Sequence, residues 1–550
     1  MKKKMIMLAS AASAALLVSV TAPAISAEKL SVRLVSTIVS GNGELGAEIP
    51  AFHAKSKRIF ATNGATNSVD IYDIGNPAKP KKIKAVSLDE YGNNLTSVAA
   101  GKDVVVAVVG TNPTFSSSGA PSLSEGKVVV LDANGKILSS ASVKGFQPDA
   151  VTFTPDGKTA VVAIEAEPIC ALDDPSTSSI NESLDYSKAV DADGGIAIVN
   201  LANPKKPSVR FAGFASFSVN DARSAGLVIN KTVNNVAKDV EPEYVSTPTN
   251  FKAIVTLQEA NGIAEVDLKT AKVSKIYSAA VVDRGTVATD LSDKDKNTSL
   301  VTYPGVKSNS QPDAVASYQV GNDIFFATAG EGDAREWSCL TDDVRGSKLV
   351  VDSAKWPTWG TLKLDDALGR AKVDPNAGDI DADGDVDEIT TRGSRSLSLF
   401  KNGKLVWDSG NLLESTLISK YGFANLNGSH VARSTDKSLI DYVGQDRSDD
   451  KGIEPEGVAV GVVGKSRVAV VGMERTSSLA FFDISNPVKP TLFSWQQMQP
   501  ILTTPLDMST AWSPEGVIFV SADKSPTKKA LVITSYEISG SITIHELSAK

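Results

Sequence analysis

Carboxylates dominate the residues of this sequence that could do chemistry, and they recur at fixed phases of a repeat. Five lead-ins pair a proline with an acid: Gln147-Pro148-Asp149-Ala150, Glu241-Pro242-Glu243-Tyr244, Gln311-Pro312-Asp313-Ala314, Glu454-Pro455-Glu456-Gly457 and Ser513-Pro514-Glu515-Gly516. Each opens an apolar strand signal. A second strand signal follows and ends in an acidic turn: Glu165-Ala166-Glu167, Gln258-Glu259, Glu331-Gly332-Asp333, Glu474-Arg475 and Tyr536-Glu537. Acids at one phase of a repeat are gathered at one place in the fold. The expected rim comprises Glu165, Glu167, Glu241, Glu243, Glu259, Glu331, Asp333, Glu454, Glu456, Glu474, Glu515 and Glu537, with Arg335, Arg392, Arg395 and Arg475 near the same turns. So many carboxylates repel one another unless cations, arginines or shared protons offset them. Two outcomes are open. Acid–arginine pairs can lock neighbouring repeats together. Alternatively, rim acids hold a hard cation that polarises an oxygen and activates water, while arginines grip an anion. The catalytic candidates of that second outcome are Glu454, Glu456, Glu331, Asp333, Arg335 and Arg475.

A second constellation is local. Residues 379–388 read D-x-D-x-D-G-x-x-D, with Asp379, Asp381, Asp383, Asp385 and Asp387 as candidate metal ligands. Alternate carboxylates wrap a hard oxygen-seeking cation, and Gly384 permits the sharp turn. Asp385 would offer its backbone carbonyl. The twelfth position, where an EF-hand carries a bidentate Glu, is Thr390, and no flanking helices are evident. The expectation is a calcium loop outside an EF-hand, with a solvated acidic loop as the alternative.

Other chemistries find little support. His53, His430 and His545 are far apart in sequence, which disfavours a histidine zinc site. No G-x-S-x-G elbow is present. Residues 41–46 match G-x-G-x-x-G, but no helical signal follows, so a dinucleotide site is not expected. The polar segment Asp446-Arg447-Ser448-Asp449-Asp450-Lys451-Gly452 reads as a solvated loop or as part of the rim.

The elements that must position these acids are strands. Short runs rich in Val, Ile, Ala, Phe and Thr are broken by Gly, Asn, Asp and Pro, and helical periodicity is nearly absent. Seven repeats span 47–88, 96–143, 147–214, 241–279, 311–410, 454–495 and 513–547. Four-strand units of this kind make propeller blades. The seventh shows three strands, and 31–40 shows one. The expected fold is all-β: a single seven-bladed β-propeller over 28–550, closed by its N-terminal strand, with a ring of six or eight blades as the alternative. In a blade the first two strands are antiparallel, so lead-ins and acidic turns converge on one mouth of the channel. Long insertions at 168–194 and about 334–391, the latter carrying the calcium-type loop, should rise from that face.

Residues 1–27 read as a signal peptide: Lys2, Lys3 and Lys4, an apolar run over 5–20, then small residues. The expected cut follows Ala27, with Ala24 as the alternative. No second apolar stretch of that length appears, so no membrane span is expected in the mature chain. The expected location is the periplasm or beyond. The net charge of −8, without a Lys/Arg cluster, argues against nucleic acid. The two cysteines, Cys170 and Cys339, suggest a disulfide in an exported protein.

Several of these motifs occur together in one family. Residues 446–452 run into Glu454-Pro455-Glu456-Gly457-Val458; Glu331-Gly332-Asp333-Ala334-Arg335, the 379–388 loop and Arg392-Gly393-Ser394-Arg395-Ser396 accompany them. Nearly all of the mature chain resembles the bacterial choice-of-anchor I proteins, which are related to mesenchyme-specific cell-surface glycoprotein. The resemblance implies an exported β-propeller and fixes no activity. Some relatives carry the label alkaline phosphatase and some are fused to nucleotidase-type domains. Propeller phytases, with calcium and acids at one channel mouth, are a looser analogy. The family more often has Gly between the acids where this chain has Ala166, and the C-terminus shows no sorting signal or membrane tail.

The function expected on this basis is a calcium-binding propeller acting as a binding or scaffold protein through its acidic channel face. The partner would be a protein, a glycan or a small phosphorylated ligand. The alternative is a calcium-dependent phosphoesterase using the rim carboxylates and arginines.

Overall fold

Strands buried on both faces read as unbroken apolar runs, whereas edge strands do not. Both kinds recur here in order. Val105–Gly110 and Ala530–Tyr536 are buried end to end, while the edge strand Lys81–Ser87 is almost wholly exposed. That gradient arises when twisted sheets stack face to face with one edge turned outward. The computed structural model describes residues 28–172, 183–432, 440–502 and 511–550; the expected signal peptide lies outside the described residues.

The architecture is an all-β propeller. Among the described residues, seven four-stranded antiparallel sheets follow one another along the chain. Their first strands are Pro50–His53, Asn94–Ala100, Pro148–Phe153, Pro242–Thr249, Val315–Val320, Pro455–Val463 and Pro514–Val520. Each first strand touches the first strand of the next sheet, and Pro514–Val520 also touches Pro50–His53. In the last sheet the outer strand is Leu30–Val39, paired antiparallel with Ser541–Ala549.

The lead-ins have a shared backbone geometry. In four of them the proline pairs in register and the next two residues face a single residue across the ladder, a β-bulge. Pro148 opposes Ile164 and Val151 opposes Val162; the same offset occurs at Pro242, Pro455 and Pro514. A bulge re-aims a side chain, and here it presents Asp149, Glu243, Glu456 and Glu515. The residue before each proline is left-handed: Gln147, Glu241, Gln311, Glu454 and Ser513 have φ between 33° and 63°. A following proline disfavours helical backbone, so the packing holds these five positions against local preference. Small residues complete the motif. A Cβ on Gly457 would lie 2.1 Å from the Glu515 carbonyl oxygen of the next sheet.

The insertions are more ordered than their composition suggests. A disulfide joins Cys170 to Cys339, linking the insertion at 168–194 to that at 334–391. Tyr186 stacks on Trp337 beside it. The longer insertion contributes Val344–Arg345, Lys372–Val373 and Ile389–Thr391 to a five-stranded sheet shared with Val281–Asp283 and Val306–Asn309, the segment before the fifth blade-like sheet. Helix Leu412–Tyr421, which no sequence signal foretold, packs Leu413 and Leu417 into the core and buries Glu414. Among the described residues, no helix is long and apolar enough to cross a membrane.

Candidate functional site: an acid-lined channel mouth

Four of the five lead-ins (147–150, 241–244, 311–314 and 454–457) and three of the turns after the second strands (165–167, 258–259 and 331–333) meet at one cavity of about 370 Å³, whose lining does not include Glu474, Glu515 or Glu537. Ten carboxylates line it: Asp149, Glu165, Glu167, Glu243, Glu259, Asp313, Glu331, Asp333, Glu336 and Glu456. Beyond it runs a channel of about 540 Å³ walled by the first strands, with Phe52, Phe153, Tyr244, Val458 and Phe519 among its residues. Tyr244 immediately follows Glu243, so the channel, whose lining also includes Ser97, Thr152, Ser246, Thr247, Ser317 and Lys524, begins where the acids end.

Burial sets the electrostatics of the mouth. It raises Glu165, Glu243, Asp313, Glu456 and Glu515 well above the usual carboxylate range, and the neighbouring carboxylates raise them further. Burial also pushes Glu259, Glu474 and Glu48 up to about 8 and Asp149 to about 6. Four cavity-lining oxygens have no hydrogen-bond partner among the described residues: Asp149 Oδ2, Glu259 Oε2, Asp313 Oδ2 and Glu456 Oε2. Asp313, Glu259 and Glu456 are nevertheless only 6–8% exposed. Buried polar atoms are normally satisfied, so oxygens like these suit a ligand that brings positive charge.

One arc of the mouth is already neutralised. Lys451 Nζ lies 2.6 Å from Glu331 Oε1 and 3.3 Å from Asp333 Oδ1, while Gln258 Nε2 donates to Glu331 Oε2 at 2.6 Å. Glu474 Oε1 accepts from Ser513 Oγ at 3.0 Å and pairs with Arg475 at 3.2 Å. Glu454 is fully buried, with Arg447 Nε at 2.8 Å and Arg475 Nε at 2.7 Å on its two oxygens. Burial alone would raise its carboxyl, but Lys451, Arg475 and Arg447 outweigh it and hold it down to about 2. Glu454 is therefore a structural hub and does not line the cavity. Replacing it as Glu454→Gln removes the carboxylate that Arg447 and Arg475 share, leaving them on Asp450 and Glu474, and is expected to cost about 1.5–3 kcal/mol. Chemical denaturation checks this, and a loss below about 1 kcal/mol would contradict the hub role.

The other sequence candidates divide likewise. Glu331, Glu456 and Glu474 bring oxygens within 4.8 Å of one another, as a shared cation requires. Arg335 is fully buried and pairs with Asp239 at 2.9 Å and Asp342 at 3.0 Å. Arg392 pairs with Asp342 at 2.9 Å and Arg395 with Glu414 at 3.2 Å. Arg335 and Arg395 are enclosed by these internal contacts, whereas Arg392 also lines a second cavity and keeps Nη1 without a hydrogen-bond partner among the described residues. Arg475 lines that cavity too, with Arg447, Lys451 and Lys372; it holds about 370 Å³ and shares Asp333, Ala334 and Glu336 with the first. Glu241 is buried near Arg335, and Glu537 lies near Glu44 and Arg475.

In the 379–388 loop, Asp379, Asp381 and Asp387 place oxygens within 4.8 Å of one another, whereas Asp383 and Asp385 are not part of that group. Asp383 Oδ1 instead accepts from the Asp385 amide at 3.1 Å. Asp387 already receives Lys355 Nζ at 2.8 Å and the Ile380 amide at 2.6 Å, and Lys355 holds its carboxyl below the usual range. Gly384 takes φ of 103°, which suits its turn. An all-oxygen set on a tight loop fits calcium. Ala166 adopts φ of 63°, a conformation that Gly enters without penalty.

Reasoning from the sequence missed Glu336 as a member of the mouth, left Asp149 and Asp313 out of the rim acids although it placed their lead-ins there, and left the 446–452 segment with Lys451 as loop or rim. The signal was present for Asp149 and Asp313, since each is the acid of a lead-in. Lys451 sits in the 446–452 segment, whose last residues thus belong to the rim.

The geometry can be set beside known proteins. The choice-of-anchor I domain matches residues 48–487 of this chain. The chain is 26% identical over 234 residues to the mesenchyme-specific cell surface glycoprotein of Strongylocentrotus purpuratus, covering 37% of this chain and 30% of that protein. It is 25% identical over 193 residues to Gigasin-3a of Magallana gigas, covering 34% of this chain and 66% of that protein. The matched part thus spans less than two thirds of each relative. Similar solved structures include Kuenenia stuttgartiensis hydrazine synthase, at 10% identity and TM-score 0.42 over 91% of this chain and 95% of that one. The β-propeller domain of Myceliophteria thermophila Cps50 (Swd1) gives 9% and 0.43 over 94% and 99%.

Proposed function

The chain belongs to the choice-of-anchor I family, and from that premise we propose that it is an exported calcium-binding β-propeller acting as a binding or scaffold protein through its acidic channel face. The proposed ring has seven blades and is closed by the strand 30–39 pairing with the C-terminal strand. The carrying observation is the mouth itself: ten carboxylates around one cavity, several with buried and unpartnered oxygens. Such a surface favours a cation, and a bound cation with open positions recruits oxygen-bearing groups of a protein, a glycan or a phosphorylated ligand. A second calcium on Asp379, Asp381 and Asp387 would staple the long insertion. The disulfide and the family support an exported protein, periplasmic or secreted.

One observation favours the phosphoesterase reading as the second. The cavity of Arg447, Lys451, Arg475 and Lys372 adjoins the acid cavity, so an anion held there would lie beside a cation held on the acids. Calcium would supply electrophilic activation of the phosphoryl group. These basic side chains would supply orientation and charge.

Calorimetric titration of the chelator-treated mature protein with calcium tests the first reading, and phosphomonoester hydrolysis in the same samples tests the second. Calcium uptake without turnover supports a binding protein. Calcium-dependent turnover lost in Arg475→Met would support the enzyme. Absence of calcium uptake would remove both.

A further inference from the structure

We infer that Glu331, Glu456 and Glu474 hold one hard divalent cation, and that Lys451 is the built-in competitor which this cation displaces from Glu331. The inference rests on the proposed calcium-binding role of the channel face and goes further by assigning the ligands and the group that regulates them.

The three side chains converge, with one oxygen from each within 4.8 Å of the others. Calcium holds oxygens at about 2.3–2.6 Å, so two of its ligands are at most about 5 Å apart, and the trio already falls inside that limit. Glu331 and Glu456 line the acid cavity, which gives an ion access to them. Glu331 follows the second strand of the fifth sheet, while Glu456 and Glu474 belong to the first two strands of the sixth and the turn after them. A cation on the trio therefore ties two neighbouring sheets together. The donor set is all carboxylate, with no histidine or cysteine, which selects a hard cation over zinc or copper.

Glu456 supplies an observation that a count of acids does not. The residue is only 8% exposed, and its Oε2 is buried without a hydrogen-bond partner. Buried charges are normally paired or coordinate a metal, yet among the described residues no base pairs with Glu456. The bases nearby are too few. Lys451 is shared by Glu331 at 2.6 Å, Asp333 at 3.3 Å and Glu454 at 3.9 Å. Arg475 is shared by Glu454 and Glu474, and Arg447 by Glu454 and Asp450. Three bases thus serve five carboxylates, and Glu456 is a sixth.

Lys451 is the point of conflict. Its ammonium stands on Glu331 Oε1, and Gln258 Nε2 donates to Glu331 Oε2 at 2.6 Å. A cation that takes an oxygen of Glu331 repels the like-charged ammonium at close range. Lys451 also lines the adjoining basic cavity, with Arg392, Arg447 and Arg475. Loading the trio therefore turns the ammonium towards that cavity. By linkage, an anion held there and a cation held on the trio strengthen each other's binding.

Calorimetric titration with calcium chloride tests the assignment, using the full mature chain with its disulfide intact and Asp381→Asn/Asp387→Asn as the reference that removes the loop contribution. In that reference, Glu456→Gln is expected to weaken calcium affinity about tenfold or more, because it removes an ionised ligand. Lys451→Met is expected to strengthen it about threefold or more, because the competing charge is gone. Lys451→Gln keeps a donor for Glu331 and is the milder change in the same direction, which serves if Lys451→Met does not fold. Asp149→Asn lies outside the trio and is expected to leave the affinity within about threefold, since its charge acts at longer range. Unchanged affinity in Glu456→Gln overturns the assignment and leaves calcium elsewhere on the mouth. Weaker binding in the Lys451 variants overturns the competition. If neither the reference nor its Lys451 variants take up calcium, the calcium-binding role of the face falls as well.

Discussion

In chelator, the protein is expected to lose stability as the pH rises from about 4.5 to 8, and saturating calcium is expected to abolish that loss. The sign follows from how burial moves the acids. Burial holds Glu48, Glu259 and Glu474 at about 8 and Asp149 at about 6 in the folded protein, against 4.5 and 3.8 for the free groups. A group whose folded value is raised binds its proton more tightly when folded. Its stabilising contribution is complete below the unfolded value and is lost as the pH climbs through the folded one. Each tenfold gain in proton affinity on folding corresponds to about 1.4 kcal/mol, so several groups together make the loss several kcal/mol. Calcium replaces the protons, and because it binds the ionised form its affinity rises with pH. The chelated and calcium-loaded Tm curves should therefore diverge above pH ~5. Glu454 runs the other way. Held at about 2 by its cations, it contributes stability that is present above 4.5 and lost as the pH falls towards 2. Parallel Tm curves with and without calcium across the same pH window would show that the mouth acids are compensated by something other than a cation.

The repeat was legible because it is written in backbone chemistry. Proline and acid lead-ins mark where a first strand starts, and the bulge that follows Pro148, Pro242, Pro455 and Pro514 fixes where the acid points. The sorting of the acids into a neutralised arc and a bare one was not legible. It depends on Lys451 and Arg475, which reach the mouth from loops, and on Gln258, which donates to Glu331 in the next sheet. The same limit applies to Glu454. Its sequence context is that of the other lead-ins, and only the convergence of Arg447 and Arg475 makes it a hub. The helix Leu412–Tyr421 escaped for a simpler reason: much of it is polar, as in Glu414, Ser415 and Thr416, and its role is set by tertiary contacts such as Arg395 with Glu414. The mixed sheet of the long insertion is built from two- to four-residue strands, which are too short to leave a period.

Arg335→Met should be among the most damaging single changes outside the strands. The guanidinium is completely buried and donates to Asp239 Oδ2 at 2.9 Å, Asp342 Oδ2 at 3.0 Å and the carbonyls of Asp239 and Val228 at 2.8 and 3.2 Å. Its own amide donates to Asp342 Oδ1 at 3.0 Å. Asp342 also receives Arg392 at 2.9 Å. These bonds tie the start of the long insertion to the segment between the third and fourth sheets. Methionine matches much of the volume but none of the charge, so Asp239 is left buried without its cation. Breaking a buried pair on one side costs about 3–5 kcal/mol. The arrangement also predicts where the cost comes from. Asp239→Asn added to Arg335→Met should recover part of the loss, because it removes the orphaned charge. If instead the two changes add, the damage lies in lost packing or lost carbonyl bonds and the ion pair is incidental. Because Arg335 lies two residues beyond Asp333, the variant should also weaken calcium uptake at the mouth, and Asp239→Asn should restore that uptake in step with stability.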